Sequence, residues 1–149
     1  MISPLANVSP KAKIGNNVTI EPFATVYEDV VIGDNTHIHP NAIIYPDTII
    51  GSGCQIFPGA LIGIVSQDLK YKGEKAITTI GNNTIIREYA TVHKGTADRM
   101  RTDIGSNCMI MAYAHVAHDC IIGNNVILAN YVGLAGHVTI EDFVIIEGY

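Results

Sequence analysis

No stretch of this chain reaches the ~18 consecutive apolar residues that a membrane-spanning helix needs, and the N-terminus lacks the hydrophobic run of a secretory leader. The expectation is a soluble, cytoplasmic protein with no membrane span. Cysteine is scarce: Cys54, Cys108 and Cys120 are an odd count, which argues against a disulfide frame and for a reducing compartment. Basic residues are few as well, nine against fourteen acidic ones, and the net charge of −5 argues against nucleic acid as a partner. The 149 residues suffice for one domain with a continuous core.

Helical periodicity is also missing, and a different regularity replaces it. Every sixth residue from Ile2 is aliphatic: Val8, Ile14, Ile20 and onward to Ile62, then Ile80, Ile86, Val92, and again from Ile104 to Ile146. Of 25 positions in this phase, only Asp68, Glu74 and Asp98 depart from it. A helix of 3.6 residues per turn cannot keep such a stripe on one face. A solenoid can, because each short unit buries its apolar residue by stacking on its neighbours. Two residues before each aliphatic position runs a second, smaller column, from Ala6, Ala12 and Val18 to Val144, with Lys72 the one bulky charged member. One long and one small inward residue per hexad would fill a narrow prism. All three cysteines lie in the small column and are expected to be core filler.

A period of 18 overlies the hexads. Turn-forming triplets at Gly15-Asn16-Asn17, Gly33-Asp34-Asn35, Gly51-Ser52-Gly53, Gly81-Asn82-Asn83, Gly105-Ser106-Asn107 and Gly123-Asn124-Asn125 mark every third unit. Gly and Asn tolerate the positive φ that a sharp corner requires. The aliphatic residues before these triplets are spaced by 18, except for a gap of 30 from Ile50 to Ile80 and of 24 from Ile80 to Ile104. Insertions of 12 and 6 residues, near 66–77 and 97–102, account for both gaps. The expected fold is an all-β parallel β-helix of triangular cross-section. About seven coils at the ~4.8 Å strand spacing give a prism roughly 35 Å long.

The coil arithmetic turns sequence into a site. Both insertions leave from one edge, after Ile62 and after Val92, and two residues past the inward aliphatic that edge stacks Lys94, His118 and Gly136. One position further it stacks Gly95, Asp119 and His137, with His115 just before the corner. Imidazoles titrating near ~6.5 can accept a proton at neutral pH, so the edge offers either general-base chemistry or metal ligation. Asp119 is placed to hold the tautomer of His118. His37 and His39, on an earlier coil near another corner, read as surface residues. Seven of the nine basic residues lie between Ser66 and Asp103, where the net charge is +2 against −7 for the rest. This predicts a local positive field for an anionic ligand or partner.

Beside this reading, four motifs carry a resemblance: SQDLKY (Ser66–Tyr71), IIREYATVHKGT (Ile85–Thr96), HVAHDC (His115–Cys120) and LANYVGLAGHV (Leu128–Val138). In this order they resemble the UDP-N-acetylglucosamine O-acyltransferases of lipid A biosynthesis, over essentially the whole chain. The resemblance implies a left-handed prism of the hexapeptide-repeat kind. It also implies transfer of a 3-hydroxyacyl chain from acyl carrier protein to the sugar 3-hydroxyl. His118 would be the general base, Asp119 its orienting group, and the backbone N–H of Gly136 the oxyanion donor. Asp68, Lys70 and Gln67 in the first loop, with His93, His115 and His137, would bind substrate. The family assembles as homotrimers with sites between subunits and requires no cofactor or metal. Its members continue into more coils and a C-terminal helical region, so this chain is expected to be a truncated one.

Three alternatives stand beside this. A related N-acyltransferase would use an amino sugar nucleotide. A γ-type carbonic anhydrase would hold zinc on three histidines between subunits, but its paired histidines are five apart, whereas His115 and His118 are three apart. A non-catalytic scaffold would only assemble.

Overall fold

The computed structural model describes residues 1–148; Tyr149, the last residue of the expected domain, lies outside them. The described residues wind as a left-handed parallel β-helix with three sheets of seven strands each. The first sheet stacks Asn7–Val8, Thr25–Val26, Ile43–Ile44, Leu61–Ile64, Thr91–His93, His115–Val116 and Gly133–Leu134. The second stacks Lys13–Ile14, Val31–Ile32, Thr48–Ile50, Ile77–Ile80, Arg101–Ile104, Ile121–Ile122 and Thr139–Ile140. The third runs from Thr19–Ile20 through His37–Ile38, Gln55–Ile56, Ile85–Ile86, Met109–Ile110 and Ile127–Leu128 to Ile145–Ile146. Crossovers between parallel strands are right-handed where a helix must pack back on the sheet; corners this short carry no helix, and that constraint lapses.

Register follows the six-residue phase. Val26 pairs with Ile44, Ile44 with Ile62, Ile62 with Val92, Val92 with Val116 and Val116 with Leu134. The inward isoleucines from Ile20 to Ile110 are almost wholly buried, each contributing about 1.5–3 kcal/mol by removal from water. Cys54, Cys108 and Cys120 are buried thiols within the same core. Burial relaxes at both ends of the prism, where the inward Ile2 is exposed and the inward Ile146 only partly buried. Among the described residues no helix is long and apolar enough to cross a membrane.

Two details refine the sequence reading. The leading glycine of each repeating triplet is not the residue with positive φ. That conformation falls on the third member, at Asn17, Asn35, Gly53, Asn83, Asn107 and Asn125. The glycines are needed because the next coil's backbone passes where a Cβ would sit. The insertions lie near the expected 66–77 and 97–102. Strand-free chain spans 65–76 and 94–100, since Ile77 and Thr78 already pair with Arg101 and Thr102. The two loops return side by side as extended neighbouring strands.

Candidate active site

The edge between the first and second sheets gathers the functional side chains. Four corner residues along this edge have a left-handed backbone, Asp29, Asp47, Asp119 and His137, with φ of 56°, 63°, 60° and 66°. Placing Asp119 and His137 in a conformation that costs non-glycine residues energy fixes them one above the other, and the His137 N–H donates to the His118 carbonyl at 3.1 Å.

His118 is the centre. Its Nδ1 lies 2.8 Å from Asp119 Oδ2, and its Nε2 lies 3.4 Å from Asp68 Oδ2 of the long loop. The His137 ring meets it edge-on at 5.0 Å, and His137 Nε2 is 3.4 Å from Asp98 of the short loop. Gly136 lies directly against the His118 ring, where a Cβ would overlap it. Lys70 Nζ spans the two loops, 3.9 Å from Asp68 and 3.8 Å from Asp98. Gln67 is exposed on the long loop.

Asp119 is fully buried. Burial alone would raise its pKa, but hydrogen bonds from Thr96 Oγ1, His118 Nδ1 and the Thr96 and Arg99 N–H groups outweigh that and hold it below the usual carboxylate range. The Thr96 hydroxyl donates at 2.5 Å, and the two N–H groups donate at 3.0 and 3.1 Å. An ionised Asp119 favours the tautomer with the proton on His118 Nδ1, and Nε2, the ring's other nitrogen, faces Asp68.

His93 and His115 form a second pair beside this centre, edge-on at 4.7 Å, and His115 Nδ1 is 2.7 Å from Thr91 Oγ1. Burial, then the charges of His115 and His118, lower the His93 pKa to about 4; burial and His118 lower that of His115. Both are therefore neutral near pH 7.

Sequence reasoning missed Thr96, Asp98 and Arg99, which hold Asp119 and His137. The signal was present, since the short insertion leaves from the same edge, but the partners of a loop cannot be read from repeat phase. The expected positive field is mostly internal pairing. Arg87 binds Glu88, Arg101 binds Asp103, Lys75 lies 3.8 Å from Asp29 and 3.6 Å from Asp47, and Lys94 lies 3.8 Å from Asp47. His118, Asp119 and His137 also offer metal-donor atoms within 4.8 Å of one another, although His118 Nδ1 is already engaged by Asp119. The cluster lies on an open edge. Grooves of about 480 and 450 Å³ lie instead near the two ends of the prism, around Ile121 and Ile140 and around Met1 and Glu21.

The coils are those of a hexapeptide-repeat β-helix, and the sequence agrees: residues 11–46, 29–63 and 101–136 match the bacterial transferase hexapeptide (six repeats) family, to which this chain belongs. Within that family its likeness is to UDP-N-acetylglucosamine acyltransferases. The solved enzyme of Bacteroides fragilis is 50% identical with a TM-score of 0.98, covering 99% of this chain and 58% of its own. That of Francisella novicida is 44% identical with a TM-score of 0.96, covering 99% and 54%. The acyl-[acyl-carrier-protein]–UDP-N-acetylglucosamine O-acyltransferase of Pseudomonas aeruginosa is 46% identical over 89 residues, 59% of this chain and 34% of that protein. The chain thus spans about a third of such curated relatives within the matched region, and just over half of the solved ones. A perosamine N-acetyltransferase from Caulobacter crescentus, 23% identical with a TM-score of 0.68, shares the fold alone.

Proposed function

We propose that this chain carries the catalytic edge of an acyl-[acyl-carrier-protein]–UDP-N-acetylglucosamine O-acyltransferase, acting in the first step of lipid A biosynthesis. The observation that carries the reading is His118, with Nδ1 tied to a buried Asp119 and Nε2 turned toward Asp68. In this mechanism His118 Nε2 takes the proton of the sugar 3-hydroxyl as that oxygen attacks the thioester carbonyl of the 3-hydroxyacyl chain. The Gly136 N–H stabilises the oxyanion. Collapse expels the carrier thiolate, which recovers the proton from His118. Asp68 accepts a sugar hydroxyl, and Lys70 and Gln67 meet the polar and phosphate groups. His115, His137 and neutral His93 line the approach.

Because the cluster lies on an open edge, a second wall is needed to exclude water, and a neighbouring copy in a homotrimer supplies it. The substrates place the reaction in the cytoplasm. Acyl carrier protein, an acidic partner, would meet the few charges left outward by the ion pairs. Incubation with UDP-N-acetylglucosamine and 3-hydroxyacyl carrier protein should yield an ester at the 3-oxygen, identified by mass spectrometry and NMR. A product formed only from the 3-amino sugar nucleotide would instead support the N-acyltransferase reading.

A further inference from the structure

The short loop over residues 94–100 closes on the Asp119 carboxylate in a particular way. Oδ1 accepts two backbone N–H groups, from Thr96 at 3.0 Å and from Arg99 at 3.1 Å. The backbone makes those bonds, so they survive a change of side chain at either position. Oδ2 is different: it accepts the Thr96 hydroxyl at 2.5 Å and lies 2.8 Å from His118 Nδ1. Thr96 thus shares with His118 the one oxygen that orients the ring. Thr96 is 3% exposed and Asp119 fully buried, so bulk water does not compete for either group. The surrounding backbone is closed as well. The Met100 N–H donates to the Thr96 carbonyl at 2.7 Å, the Arg99 guanidinium to the Asp119 carbonyl at 3.2 Å, and the Asp119 N–H to Thr102 Oγ1 at 2.9 Å.

We infer that Thr96 is a positioning residue for the base: its hydroxyl fixes Asp119 Oδ2 beside His118 Nδ1 and draws off part of that oxygen's charge, which keeps the imidazole available to accept a proton near neutral pH.

The reason is electrostatic. A hydroxyl that points its positive end at a carboxylate oxygen weakens the hold of that oxygen on a second donor. Burial raises the Asp119 pKa, and the Thr96 hydroxyl is the largest of the contributions that lower it, ahead of His118. Without the hydroxyl, Oδ2 is left with the imidazole as its donor, and the protonated ring is favoured. Other charged groups face the pair. His137 Nε2 is 3.9 Å from Oδ2 but closer, at 3.4 Å, to Asp98, and Asp68 is 3.4 Å from His118 Nε2. Lys70 lies between Asp68 and Asp98 at 3.9 and 3.8 Å, and His93 and His115 flank His118. None of these comes within hydrogen-bond distance of Oδ2, so they act alike with or without the hydroxyl.

Thr96→Val deletes the donor, keeps the branched shape and leaves both backbone bonds. Its effect on turnover rests on the acyl-transfer reading, whereas the state of the imidazole is measured in this chain alone, by NMR titration of ¹⁵N-histidine-labelled protein with His118→Ala assigning the signals. The expected result is that His118 titrates at higher pH in Thr96→Val than in the parent, while Thr96→Ser, which keeps the hydroxyl, titrates with the parent. In the transfer assay, kcat/KM of Thr96→Val should fall about 10-fold near pH ~6, the scale of one hydrogen bond to a charged group. The loss should be smaller near pH ~8.5, and Thr96→Ser should restore the rate; a merely structural role would lower it equally at both pH values. Should Thr96→Val lack a cooperative melt, Thr96→Cys, with its weakly donating thiol, replaces it with the same direction expected. A folded Thr96→Val that titrates with the parent, or a Thr96→Ser displaced as far as Thr96→Val, overturns the assignment. A parent that forms no 3-O-acyl product while the titration is displaced as expected leaves the role of Thr96 standing and removes the acyl-transfer reading instead.

Discussion

Gly136 shows how closely one residue governs another. Its Cα hydrogens face the His118 ring, so Gly136→Ala forces the imidazole off Asp119 or off Asp68. With the fold intact, the expected loss in turnover is at least ~10²-fold, since misplacement of about 1 Å costs that much. Turnover near the parent's in a folded variant would separate the ring's position from its chemistry. His93 supplies a pH signature. Its folded pKa, about 4, lies below the unfolded value near ~6.5, so the unfolded chain binds the proton more readily. Stability is fully present above ~6.5 and declines as pH falls toward 4, by roughly 3 kcal/mol at ~1.4 kcal/mol per unit. Urea melts at pH 7 and pH 4.5 should show this slope, flattened in His93→Gln. Asp119 contributes separately: its carboxyl is lowered, so its stabilisation is lost only under more acidic conditions, below the usual carboxylate range. An unchanged slope in His93→Gln would place the sensitivity elsewhere.

At the scale of elements, the insertions matter because of what holds them. The long loop carries Asp68 to His118, and Lys75 ties its far end to Asp29 and Asp47, members of the same corner column that higher up presents Asp119 and His137. Lys94, buried, reaches Asp47 and the Pro46 carbonyl from the start of the short loop. One charged ladder thus runs along the edge below the site. Removing residues 65–76 joins Ile64 to Ile77 and preserves the phase of Ile62 and Ile80. That variant should fold, shown by β-type circular dichroism and a cooperative melt, and lose sugar-nucleotide affinity. Deleting Gly123 alone should prevent folding of the coils beyond it, because every later apolar side chain changes face. The reverse order of severity would mean that the long loop is part of the prism.

For the whole molecule, the coil, the triangular section and the buried cysteines were legible because a solenoid repeats one local rule, and Ile38 and Ile110 obey it alike. The convergence of His118, Asp119 and His137 followed from the same counting. What the phase could not reveal was everything supplied by aperiodic chain: Thr96 and Arg99 closing on Asp119, Asp98 on His137, and the pairing that consumes most of the positive charge. The His37–His39 stack escaped for a related reason, since its partner Glu21 comes from the preceding coil. The central claim is that His118 Nε2 is the base for acyl transfer. The most direct measurement is product formation from UDP-N-acetylglucosamine and 3-hydroxyacyl carrier protein under single-turnover conditions, for the parent and for His118→Ala with matched melting curves. The expected result is a 3-O-acyl product whose rate falls by ~10²–10⁴-fold in the variant; a folded His118→Ala protein that acylates at the parent's rate would contradict it.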